Sequence, residues 1–125
     1  MINSLEAAQL AAEAADNKKA FDILILDLRS LTYITDYFII CSANNSSQVG
    51  AIADGIIEAL AKAGVHPFHM EGETHASWVL MDYGDIVVHI FNHQTRIYYS
   101  LEKLWGDAPR VSLVAPQRVL QGIPT

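Results

Sequence analysis

The chain has a single cysteine, Cys41, so no disulfide within the chain can staple the fold. Its apolar stretches, such as residues 23–26, 37–41 and 86–88, fall far short of the roughly 20 residues that a membrane span needs. Lysine and arginine are scarce: eight of them face fourteen acids, a net charge of −6. That balance argues against a surface built for nucleic-acid phosphates and makes a basic protein the expected kind of partner. The N-terminus lacks the basic region, apolar stretch and small-residue cleavage site of a secretory signal, so a cytoplasmic protein is expected. Missing too are a GxSxG elbow, a P-loop and a dinucleotide fingerprint, and residues 42–47 contain no glycine that could cradle a phosphate. Cys41 sits in the apolar run 38–41 with no basic neighbour; it reads as a small buried hydrophobe rather than a nucleophile.

What is present is enough for one core. About half of the 125 residues are apolar, and that length suits one domain. Asn3 followed by Glu6 fits a capping box, and Leu5, Ala8, Ala12 and Ala15 mark one stripe of a first helix over residues 4–18. Residues 21–28, centred on Ile23, Leu24, Ile25 and Leu26, read as a strand covered on both faces, and residues 37–41 as a second strand. Asn45 or Ser46 caps a second helix, whose apolar face is Val49, Ile52, Ala53, Ile56, Ile57 and Leu60. Gly64 fits its C-terminal left-handed cap, and residues 65–71 return as a strand, completing a right-handed β-α-β crossover. A last helix from Gln94 carries Ile97, Leu101 and Leu104. After Gly106 the pattern stops at Pro109, Pro116 and Pro124, so residues 108–125 read as a tail behind a domain of residues 1–107.

The informative feature is a hairpin over residues 78–91 with Tyr83 and Gly84 as its turn. That turn pairs Asp82 with Asp85, Leu80 with Val87 and Trp78 with His89. One face is apolar throughout: Val79, Met81, Ile86, Val88 and Ile90. The other mixes Trp78, Leu80, Val87 and Phe91 with Asp82, Asp85 and His89. An apolar patch centred on a tryptophan and rimmed by charge is the composition of a binding hot spot, and its acids favour a basic partner. The same composition fits a face covered by the protein's own helices, and both readings stand at this point.

Other chemistry is less well supplied. His69 and Glu71 would share a strand face, but His66 falls on the opposite one, and with His75 the group lacks the spacing of a metal site. Tyr98, Tyr99 and Trp105 at helical spacing read as core or dimer contacts more readily than as a base-stacking platform. A nucleotide-binding or nucleotidyltransferase-like enzyme acting through Asp27, Asp36 or Asp82 is the alternative from another class. Against it, Asp27 is followed by Leu28 and Arg29, not by a second acid.

The run Ile34-Thr35-Asp36-Tyr37-Phe38-Ile39-Ile40-Cys41-Ser42, the segment from Met70-Glu71-Gly72-Glu73 through Trp78 and Asp82-Tyr83-Gly84-Asp85 to His89-Ile90-Phe91, and the closing Arg96 to Leu101-Glu102-Lys103-Leu104-Trp105 resemble the ribosomal silencing factor (Iojap-like) family. The resemblance spans residues 4–107. It implies a mixed α/β sheet of about five strands with flanking helices, a nucleotidyltransferase-like fold without the catalytic motif. It further implies a protein that is not an enzyme and needs no cofactor. Such a protein binds the large ribosomal subunit through ribosomal protein fourteen, blocks joining of the small subunit when nutrients run short, and forms a homodimer when free. Trp78, Asp82, Tyr83, Asp85 and His89 occupy the family's characteristic positions, with Tyr83 expected as the first turn residue. Two features depart from the family pattern: Ala43 and Ser47 stand where a glycine and a basic residue are usual, and the tail has no counterpart in shorter members.

Overall fold

The computed structural model describes residues 2–72, 77–93 and 109–111. Its first helix, α1, runs Ser4–Asn17 and starts on the expected box. The Asn3 side chain accepts from the Glu6 amide at 2.8 Å, and the Glu6 carboxylate accepts from the Asn3 amide at 3.1 Å. Two amides that a helix start leaves without partners are thereby satisfied. The buried face of α1 is alanine (Ala7, Ala8, Ala11, Ala12, Ala14 and Ala15), and such small side chains let a second helix pack closely. That helix, α2, spans Ser46–Lys62; the structure selects Asn45 as its cap, accepting from the Gln48 amide at 2.8 Å. Gly64 follows its end with φ +78°, the left-handed geometry expected there.

Between the helices lie β1 (Phe21–Asp27) and β2 (Tyr37–Ala43), and after α2 come β3 (His69–Glu71), β4 (Trp78–Asp82), β5 (Ile86–Asn92) and β6 (Arg110–Val111). They form one sheet in the order β3-β4-β5-β2-β1-β6. Only β2 and β5 pair in parallel; the other neighbours are antiparallel. The expected mixed α/β sheet is therefore present, with six strands among the described residues where about five were expected. The additional strand comes from the segment read as tail. Its two residues pair with Leu26 and Ile25, and the Pro109 carbonyl accepts from the Asp27 amide at 2.7 Å. A pairing this short leaves no periodicity to read. The crossover through α2 also lands differently: β3 is parallel to β2 but lies at the far edge, with β4 and β5 between them. The helix expected from Gln94, with Ile97, Tyr98, Tyr99, Leu101, Leu104 and Trp105, lies outside the described residues, as does His75.

Alternation along the strands splits the core in two. Ile25, Tyr37, Ile39, Cys41, Val79, Met81, Ile86, Val88 and Ile90 face α1 and α2 in the larger cluster. Leu26, Leu28, Ile40 and Phe91 form a smaller cluster on the opposite face, flanked by Leu24, Phe38 and Trp78. Central strands buried on both faces give the near-continuous apolar runs seen in the sequence.

One polar side chain locks the helical layer to the sheet. Gln48 accepts from the Asn44 amide at 2.7 Å and donates to the carbonyls of Lys18 and Lys19 at 3.3 and 3.0 Å. It thereby joins the start of α2 to the turn between α1 and β1, where Lys19 holds φ +69°. At roughly 1 kcal/mol net for each hydrogen bond, less where water can substitute, Gln48→Ala should cost about 2 kcal/mol. A urea midpoint would register it. Gln48→Glu should recover at most the Asn44 contact, because a carboxylate can accept from that amide but cannot donate to the two carbonyls. An unchanged midpoint for the alanine variant would show that the clasp adds nothing.

Candidate partner-docking site

The hairpin forms, but its turn sits one residue later than the sequence suggested. Trp78 faces Phe91, Leu80 faces His89 and Asp82 faces Val87, in place of the expected Trp78–His89, Leu80–Val87 and Asp82–Asp85 pairs. The Tyr83 amide donates to the Ile86 carbonyl at 2.9 Å, so Gly84 and Asp85 form the turn. Gly84 takes φ +85°, and its amide donates to the Asp82 carboxylate at 2.8 Å. Tyr83, expected as a turn residue, is 6% exposed within the helix-facing core; burying its ring favours the later turn, against the cost of a buried hydroxyl without a partner among the described residues. Sliding both partners together leaves every strand residue on its expected face.

The mixed face is not open across its width. Phe91, His89, Tyr83 and Val87 are 0%, 5%, 6% and 8% exposed, so these four candidate contact residues are largely covered by the protein itself. Trp78, Leu80 and Asp82 are half-buried, and Asp85 is exposed at the turn. Phe91 and His89 instead hold the tryptophan. Its ring stacks on Phe91 at 5.0 Å between centroids, and its Nε1–H donates to His89 Nδ1 at 3.2 Å. His89 meets Phe38 edge-on at 4.6 Å. With Nδ1 accepting, the neutral ring carries its proton on Nε2, which is buried and has no hydrogen-bond partner among the described residues. Burial pushes the His89 pKa down to about 4, which keeps the acceptor available at neutral pH. No helix contributes to this cluster among the described residues.

The acids weighed for nucleotide chemistry are differently occupied. Asp27 is held by Arg29 through contacts of 2.7 and 3.0 Å, and these hydrogen bonds hold its carboxyl below the usual range. A carboxylate so engaged is poorly placed to ligate a metal. His69 and Glu71 share a strand side as expected and lie 3.3 Å apart, both exposed. Among the described residues, no group of three His, Cys, Asp or Glu side chains is placed to hold a metal ion.

Sequence reasoning missed a further group. Tyr33, Ile34 and Phe68 are the most exposed large apolar side chains described, with Ile34 86% and Phe68 83% exposed. All three lie at the hairpin-turn end of the sheet. The one available signal was apolar residues in segments too short and too irregular to be core strands.

An α/β layer thus fixes an indole on a face to which no described helix contributes. Comparison with known proteins supplies the family. Residues 1–122 match the family model described as "Ribosomal silencing factor during starvation". The chain is 46% identical to ribosomal silencing factor RsfS of Bacillus subtilis over 112 residues, 90% of this chain and 95% of that protein. It is 40% identical over 105 residues to the chloroplastic protein Iojap of Zea mays, covering 82% of this chain and 44% of that longer protein. A Bacillus halodurans crystal structure is similar with a TM-score of 0.77 at 41% identity, covering 87% of this chain and 99% of the other. A Chromobacterium violaceum crystal structure reaches 0.81 at 35% identity, covering 91% and 94%. The chain belongs to the ribosomal silencing factor family, whose named role is regulatory rather than enzymatic.

Proposed function

We propose that this protein docks on the large ribosomal subunit through the Trp78 strip of the hairpin and thereby bars the small subunit. The partner is ribosomal protein fourteen, a basic surface on the intersubunit side, and the effect is steric, without catalysis. It acts in the cytoplasm and is a homodimer when free. The observation that carries the reading is the held tryptophan: its ring is fixed by Phe91 and His89 yet stays partly accessible beside Leu80 and Asp82. A pre-oriented aromatic loses little entropy on binding. The net charge of −6 supports a basic protein over RNA, through steering and orientation. The names of the relatives support the ribosome as the setting.

The test is reconstitution. Purified protein added to separated subunits should lower the yield of whole ribosomes in a sedimentation profile, and the protein should migrate with the large subunit. Undiminished ribosome formation, with the protein saturating the large subunit, would overturn the steric mechanism.

A further inference from the structure

At one end of the sheet the chain displays apolar side chains on both sides of an acidic turn. The loop between β1 and β2 is folded back on itself: the amides of Leu31 and Thr32 donate to the Leu28 carbonyl, and the Ile34 amide donates to the Thr32 hydroxyl. Tyr33 and Ile34 project from this ordered loop, exposed. The Asp36 amide ties the loop to the hairpin turn by donating to the Asp85 carbonyl at 2.9 Å. On the other side, the Phe68 amide donates to the Asp82 carbonyl, and the Phe68 ring lies over Gly84, where an added Cβ would meet it at 3.0 Å. Phe68 and Asp36 are thus separated by β4 and β5, about 15 Å at the usual strand spacing. Asp82 and Asp85 lie between them with no described lysine or arginine in ion-pair contact, while the Arg29 guanidinium, held on Asp27, acts on Asp36 only at longer range.

Apolar anchors flanking unpaired carboxylates repel phosphate backbones and anionic lipid alike, and match a surface of lysine or arginine interleaved with apolar groups. We infer that this rim is a second contact surface for the basic ribosomal partner, with Tyr33, Ile34 and Phe68 as its anchors and Asp36, Asp82 and Asp85 as its charges. The inference rests on the docking role given above, and extends it from the Trp78 strip to the end of the sheet. It assigns the strip to an already ordered tryptophan and the rim to exposed side chains that only a partner would cover.

Three proteins would be pelleted with isolated large subunits at low and moderate salt: wild type, a Tyr33→Ser/Ile34→Ser/Phe68→Ser variant and an Asp36→Asn/Asp85→Asn variant. The side chains changed in both variants are peripheral to the core, and a thermal scan confirms that each is folded. The serine variant should lose affinity at least tenfold, and the asparagine variant should bind more weakly and with a shallower salt dependence. A serine variant that binds as wild type, while Trp78→Ala fails to bind, would overturn the rim and leave the docking role standing. If wild type itself does not pellet, the docking role falls and the rim with it. An asparagine variant with unchanged salt dependence, or wild type binding protein-free ribosomal RNA as well as whole subunits, would overturn the basic-protein assignment.

Discussion

Trp78→Ala is expected to weaken association with the large ribosomal subunit by a factor of roughly 30 or more, since truncating a desolvated aromatic anchor costs about 2 to 4 kcal/mol. Two contributions lie behind that figure. The indole would fill a pocket on the partner, and its orientation is set in advance by the Phe91 stack and the His89 hydrogen bond, so little freedom remains to be lost. Trp78→Phe keeps a ring on Phe91 but has no N–H for His89, and should fall between wild type and alanine. Sedimentation with purified large subunits reads the effect directly, and unfolding curves separate it from instability, because the indole also covers Phe91. An alanine variant that is folded and rides with large subunits at wild-type occupancy would remove the strip from the interface.

Acid should destabilise the fold through His89. In the unfolded chain the imidazole takes up its proton near the ordinary 6.5, whereas in the fold it does so only near 4. Between those values the unfolded state binds more protons, so stability falls as pH is lowered. The contribution is fully present above 6.5 and is lost by about pH 4. At about 1.4 kcal/mol for each tenfold change in proton concentration, the total approaches about 3 kcal/mol. Protonation also gives Nδ1 a proton, so it can no longer accept from Trp78. Carboxylates titrate in the same window, so the informative quantity is a difference. Urea unfolding of wild type and His89→Phe at pH 7, 5.5 and 4.5 should show the wild type losing about 2.5 kcal/mol relative to the variant over that range. Parallel curves for the two proteins would mean that the imidazole is not buried in its neutral form.

Some of this site was readable without coordinates. The capping box at Asn3 and Glu6, the left-handed glycine at 64, and the division of the hairpin into an apolar and a mixed face all appear as expected. Each is written in residues that are near neighbours or that alternate along one strand. The hairpin pairing was not readable, because Tyr83 is compatible with a turn until the core that buries its ring is known. The hold on Trp78 was equally hidden: His89 is eleven positions away, and its role depends on Phe38 from a third strand. Tyr33, Ile34 and Phe68 belong to two separate loops and become one surface only when β4 and β5 are laid between them.

By itself the amino-acid order determined where α1 begins, which side of each hairpin strand is apolar, that the protein is acidic, and the family its motifs resemble, because periodicity, capping and composition act over a few residues. Tertiary structure alone decided that β2 lies beside β5, that Arg110 and Val111 close one edge, that Phe91 and His89 are covered while Trp78 is only half so, and that an acidic rim gathers at the turn end of the hairpin, away from Trp78. Solvent access belongs to the neighbours a residue acquires from distant parts of the chain, and those neighbours are set by the global packing of the core.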